Sequence, residues 1–311
     1  MMDFKAPPGL GNPHLQTMFS SVLRKRFLAR QLQSFIDSGE SHSLSIGGQK
    51  LSAIHHTQPR PGPIVAIIPG WLGSANSGYV LGFAHALWQA GYSVTRLTLR
   101  DHGDSARDNE SMFNSALTDE VVAFVDAAVD GHASVGVLGF SLGGNFALRV
   151  NQARPQYRTL AICPAIDPRQ TMQKIDGNVI YQRYFLNKWR EIWRTKAAAY
   201  PDRYRYSDIA NLNSIATLTE LFIRQQTSFE NLDSYFSAYD LSGDKLAGIP
   251  AQVLASRDDP IIPFSDFAGL PDSVTVEITD QGGHGAYLEN WKMASWLDGY
   301  AVRYFQQWLP V

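Results

Sequence analysis

The sequence predicts an α/β fold, with a mostly parallel central sheet covered by helices on both faces. Three observations predict it. Short β-branched runs ending in Gly or Asp alternate along the chain with longer stretches of helical spacing. Those runs are apolar throughout, as strands buried on both faces are. Hydrophobic residues make up 44% of the 311 and charged residues only 18%, enough apolar content for one large core and too much for disorder. Length alone allows one or two domains; we read 1–311 as a single domain carrying an insertion.

In chain order, Leu15–Leu28 has helical spacing, and Gln31–Ser45 and Lys50–His56 read as antiparallel strands leading in. Pro63–Gly70 is a buried strand and Ser77–Ala90 a helix stopped by Gly91. Tyr92–Leu99 is the next strand, Thr118–Val129 a helix, Ser134–Gly139 a strand and Gly143–Ala153 a helix. Leu160–Cys163, Gln252–Ala255 and Val274–Ile278 complete the strands, and a C-terminal helix runs from Glu289 to Trp308. Between Ala165 and Asp240 no strand-like run occurs, and aromatics crowd a region of helical spacing. A long insertion between sheet strands serves as a lid over a site, and residues 165–240 are expected to be one.

Composition excludes several classes. A formal net charge of −2 gives no footprint for gripping a phosphate backbone, so nucleic acid is not an expected partner. Cys163, the single cysteine, makes neither an internal disulfide nor a thiolate cluster. Met1 to Thr17 lacks the apolar run of a signal peptide, and no stretch has the roughly 18 consecutive apolar residues of a membrane span. The expectation is a soluble protein of a reducing compartment, the cytoplasm, with no cofactor and no metal.

The chemistry is concentrated at Gly139-Phe140-Ser141-Leu142-Gly143, a G-x-S-x-G pattern set directly between a strand and a helix. Glycines on either side permit a turn tight enough to lift Ser141 clear of the sheet. The helix that follows aims its first N–H groups at the same spot, which suits a developing oxyanion. Gly143-Gly144 is no phosphate loop, because no Gly-Lys-Ser/Thr follows. A serine nucleophile needs a base, and chain order in such folds is Ser, acid, His. Of eight histidines only His284 follows Ser141, in the loop Gln281–Gly285. The acid belongs at the end of the preceding strand, where Asp258 and Asp259 stand side by side. Adjacent side chains point in opposing directions, so only one faces His284, and the other takes a backbone N–H, Arg257 or water.

Together these motifs resemble the α/β-hydrolase superfamily from about residue 50 onward, and more narrowly its YheT branch with abhydrolase-domain relatives. The narrower resemblance rests on Asn12-Pro13-His14-Leu15-Gln16-Thr17, Gly73–Ser77, Gly139–Asn145, Asp258-Asp259-Pro260 and Gly282-Gly283-His284. It implies an α/β-hydrolase fold and a catalytic triad of Ser141, Asp259 and His284. Asp259 is chosen because the acid of many similar enzymes directly precedes a Pro-x-x-Pro string, here Pro260–Pro263. It also implies an oxyanion hole from the N–H groups of Leu142 and Trp71. The chain departs from the pattern at Pro69, where a histidine is usual.

Other clusters read plainly. Arg100–Ser105 matches a turn after the fourth strand and not a metal site, Arg24-Lys25-Arg26 is a solvated helix face, and Cys163 is a small buried hydrophobe ending a strand. The expected function is a serine esterase acting on small-molecule esters with apolar acyl or alkyl groups, through an acyl-enzyme. An acyltransferase with the same triad, or a binding protein on the hydrolase fold, are the alternatives.

Overall fold

The computed structural model describes residues 4–311; the first three residues of the Met1–Thr17 stretch lie outside it. Among the described residues the sheet has eight strands: β1 (Glu40–Ile46), β2 (Gln49–His56), β3 (Ile64–Ile68), β4 (Ser93–Thr98), β5 (Val135–Phe140), β6 (Arg158–Ile162), β7 (Ala251–Ser256) and β8 (Val274–Thr279). Their spatial order is β1-β2-β4-β3-β5-β6-β7-β8. The first two pairings, β1 with β2 and β2 with β4, are antiparallel, and every pairing from β4 to β8 is parallel.

Strand β3 shows how the two-sided burial arises. Val65 and Ile67 point into one apolar cluster, with α4 (Gly78–Gln89) and the C-terminal helix Trp296–Trp308. Ile64, Ala66 and Ile68 point into the other, with α5 (Thr118–Ala128) and α6 (Leu142–Ala153). All five residues are at most 2% exposed, so no polar side is left. The N-terminal part holds α1 (Pro13–Met18), a π-helical turn Phe19–Leu23, α2 (Arg24–Gln31) and α3 (Gln33–Asp37).

Between β6 and β7 lie α7 (Pro168–Asp176), α8 (Val179–Ala199), α9 (Ile215–Gln226) and α10 (Leu232–Ser237). Their aromatics join the α5/α6 cluster. Buried polar contacts pin the insertion to the sheet side. Lys196 of α8 is fully buried, 2.7 Å from Asp101 beyond β4, and donates to the carbonyl of Asn109. Lys174 of α7 donates to the carbonyls of Asp259 and Ile262.

Three sequence expectations are corrected. Gln31–Ser45 is not one strand: helix continues through α3, whose Phe35 is buried and stacks on His56, and β1 begins only at Glu40. The C-terminal helix α11 begins at Trp296, not Glu289, because Asn290 Oδ1 accepts from the N–H groups of Lys292 and Ala294 and holds a turn there. Cys163 lies just past β6 with φ +45°, outside the strand.

Candidate active site

Strand β5 ends at Phe140 and α6 begins at Leu142, leaving Ser141 alone in the turn at φ +56° and ψ −120°. A non-glycine residue there is strained by about 1–2 kcal/mol, and the neighbouring backbone over-determines it. Ser141 N–H donates to the carbonyl of Ile162, while its own carbonyl accepts from Asn145 and Ala165. The flanking glycines are required by contact. A Cβ on Gly139 would stand 2.0 Å from the Gly143 carbonyl oxygen, and one on Gly143 would stand 2.2 Å from that of Ile68.

His284 and Asp259 meet across the ends of β7 and β8. Asp259 Oδ2 accepts from His284 Nδ1 at 2.9 Å, with both side chains buried. A carboxylate oxygen facing Nδ1 places the proton on that nitrogen, so Nε2 keeps its lone pair. Asp259 Oδ1 is held in turn by the N–H groups of Ile261 and Ile262 at 2.7 and 2.9 Å. Asp258 does not meet the His284 ring and takes a backbone N–H of the same loop. Its Oδ1 accepts the Gly283 N–H at 2.9 Å. The structure thus brings Ser141, Asp259 and His284 to one place; Ser141 and His284 line the same cavity, without a hydrogen bond between their side chains.

The Trp71 and Leu142 N–H groups donate to no backbone carbonyl, and both residues line the cavity beside Ser141. The Gly70–Gly73 turn is closed by the Gly73 N–H donating to the Gly70 carbonyl, with Leu72 at φ +60°. The ring of Pro69 carries no polar group to brace this loop. Tyr79 of α4 does so instead: its hydroxyl accepts the Gly70 N–H at 2.9 Å, and its ring stacks on Phe140. Burial pushes the Tyr79 hydroxyl up to about 12. The sequence gives no local signal for Tyr79, since its partner is nine residues away across a turn.

Thr17 and Gln16, in the segment Asn12–Thr17, hold the His284 loop from outside. Asn12 caps α1, and Thr17 Oγ1 donates to the Pro13 carbonyl and accepts the His284 N–H at 2.9 Å. Gln16 clamps Leu288 at both backbone groups, accepting its N–H and donating to its carbonyl. His14 Nδ1 lies 2.9 Å from the Tyr181 hydroxyl of α8. The motif is conspicuous in the sequence, but its partners are not.

Cys163 is fully buried against Asp259 and His284, the three side chains forming a group whose polar atoms lie within 4.8 Å of one another. Burial first, then the charge of Asp259, pushes its thiol well up, so it stays protonated. Arg24 is corrected too: it is 1% exposed, pairs with Asp298 and donates to the Met293 carbonyl, leaving only Lys25 and Arg26 solvated.

The cavity above Ser141 has a volume of about 300 Å³ and is lined mainly by apolar side chains, among them Leu72, Met112, Phe185, Trp189, Phe222 and Ile261. His102 also lines it and is buried; its Nδ1 lies 2.8 Å from the Arg100 carbonyl, and burial brings it down to about 4, so it is neutral.

A sheet of this order with a serine at the strand–helix turn and a His–Asp pair beyond it defines a hydrolase architecture. The model of the alpha/beta hydrolase family matches residues 65–293, and the chain belongs to that family. It is similar to "Putative esterase YheT" of Escherichia coli (strain K12), 23% identical over 297 residues that cover 90% of this chain and 85% of that protein. Among solved structures, the Pyrococcus furiosus esterase Pf2001 superposes with a TM-score of 0.59 at 14% identity, over 89% of this chain and 94% of its own. The alpha/beta hydrolase GrgF from Penicillium sp. sh18 gives 0.57 at 15% identity, over 88% and 99%. At these identities the structures are alike in fold.

Proposed function

We propose that this chain is a carboxylic ester hydrolase that works through Ser141, His284 and Asp259. The observation that carries the reading is Ser141 in its strained turn, sharing a cavity with a histidine whose Nδ1 is fixed by a carboxylate. Ser141 Oγ attacks the ester carbonyl carbon while His284 Nε2 takes its proton, and the N–H groups of Trp71 and Leu142 receive the developing oxyanion. The imidazolium, held by Asp259, then gives the proton to the departing alkoxide, leaving an acyl-enzyme. Water repeats the sequence and releases the acid. The mainly apolar cavity favours an apolar acyl or alkyl group, and helices α7–α10 act as its lid. The esterase designations of YheT and Pf2001 support the same reaction class. No cofactor enters this chemistry, and a free buried thiol is at home in the reducing cytoplasm.

An organophosphonate probe and a p-nitrophenyl ester series of rising chain length test the proposal. The expected result is labelling of Ser141 and turnover, with both lost in Ser141→Ala while the melting temperature stays nearly unchanged. Turnover that survives in Ser141→Ala removes the nucleophile assignment.

A further inference from the structure

Part of the segment 13–31 folds with its polarity reversed, although Phe19, Leu23 and Leu28 pack inward in the usual way. A surface helix sets its apolar stripe on the core. Here the inward side chains include Gln16, Thr17 and Arg24, each at most 5% exposed, and all three are bonded to the loops of the C-terminal part. The outward ones, at spacings of three and four, are Leu15, Met18 and Val22, exposed by 39%, 39% and 46%. Val179, Ile180 and Tyr184, at the start of α8, are likewise exposed, Val179 by 74%. The His14–Tyr181 contact brings the two groups to one rim. Met18, Val22, Ile180 and Tyr184 also line the cavity, so this rim is its mouth.

Within the two segments that form the rim, charge has one sign. Pro13–Gln31 contains Arg24, Lys25, Arg26 and Arg30 and no acidic residue; Gly177–Arg190 contains Arg183, Lys188 and Arg190 and none either. Lys25, Arg26, Arg30 and Arg183 are exposed. An outward apolar stripe flanked by basic side chains is the pattern that lies in a bilayer interface, with aliphatic groups among the acyl chains and cations at anionic headgroups. A second copy of this chain fits worse, because a two-fold contact sets basic rim against basic rim.

We infer that this rim docks on an anionic lipid bilayer surface, so that the cavity mouth opens toward the membrane and ester substrates enter from it. The inference rests on the ester-hydrolase reading for what docking delivers, not for the surface itself.

Sedimentation with vesicles of phosphatidylcholine, with and without one quarter phosphatidylglycerol, tests it, beside turnover of a soluble short-chain ester. Leu15, Val179, Arg26 and Arg183 do not line the cavity, so their variants are expected to keep that turnover. The wild type is expected to sediment with the anionic vesicles and much less with neutral ones. Arg26→Gln and Arg183→Gln should each weaken binding about fivefold, the effect of one cation near such a surface. Leu15→Glu with Val179→Glu should abolish binding. A wild type that ignores anionic vesicles, or binding that these variants leave unchanged, overturns the inference. So does a concentration-dependent dimer dispersed by Val179→Glu, or an acidic protein that outcompetes vesicles for the rim. Vesicle binding without ester turnover would sink the hydrolase reading and leave the docking surface standing; turnover without vesicle binding would do the reverse.

Discussion

Two adjacent carboxylates meet the same loop at different atoms, Asp259 at the His284 ring and Asp258 at the Gly283 backbone. Asp259→Asn should lower kcat by several orders of magnitude, on the order of 10⁴ where such a histidine loses its tautomer. Asp258→Asn keeps an oxygen for the Gly283 N–H and should lower kcat by about tenfold or less. Steady-state kinetics on one ester compares the two, and a reversed order makes Asp258 the acid. The G-x-S-x-G pattern singles out Ser141 in the sequence, and chain order then singles out His284. Side-chain direction at a strand end left the aspartates open, because the chain turns at once and both reach the loop. Asp266 carries a separate prediction. It is 7% exposed and neither carboxylate oxygen has a partner. Burial, then the charge of Asp167, pushes it up to about 6 from 3.8. The folded chain therefore holds this proton more tightly than the unfolded one, so the stabilisation is full below about pH 4 and is lost as pH rises through about 6. Asp266→Asn should be more stable than wild type at about pH 8 by roughly 1–3 kcal/mol, with the gap closed at about pH 4. Urea melts across that range check it; a gap independent of pH would assign the effect to packing.

At the scale of elements, α8 separates what its spacing joins. Tyr181, Tyr184, Phe185, Trp189 and Trp193 read as one helical face, yet only the first four line the cavity. Trp193 is fully buried and packs edge-on against Tyr204. The helix has 21 residues, about 31 Å, and runs on past the cavity. Periodicity reports which side of a helix is buried; it says nothing about how far along the axis the neighbour changes. Trp189 stands edge-on to Trp71 and to Phe222. Trp189→Leu should therefore shift kcat/KM across the ester series, with acetyl esters affected least. Trp193→Leu should lower stability by about 2–4 kcal/mol and leave chain-length preference alone. A Trp189→Leu variant with unchanged preference would remove α8 from the lid assignment. The misplaced starts of β1 and α11 have a related cause: Phe35 and Asn290 take roles in packing and turn formation that only a distant partner or a side-chain cap reveals.

Over the whole molecule, the sheet and its two covering layers were legible because each strand carries its own signal of burial. The joints between distant parts were not. Thr17 and His284 stand 267 residues apart, Gln16 and Leu288 272, Arg24 and Asp298 274. A motif search finds Asn12–Thr17 but not what it grips. Thr17→Val removes the acceptor of the His284 N–H and should lower kcat about tenfold at constant KM, slowing phosphonate labelling in proportion, while Thr17→Ser restores both. An unchanged kcat in Thr17→Val would mean that the other contacts of the loop suffice.

Those long joints also bear on synthesis. Residues 12–24 are synthesised well before their partners, residues 284–298. The early segment must wait, its polar groups in water, until those partners have been made, and loops that wide close late in folding. The elbow can form on the nascent chain, whereas the His284 loop takes its final seat only once residues 284–298 have emerged to meet the early segment. A product that stops short of residue 284 thus holds Ser141 in its elbow without the histidine proposed to activate it.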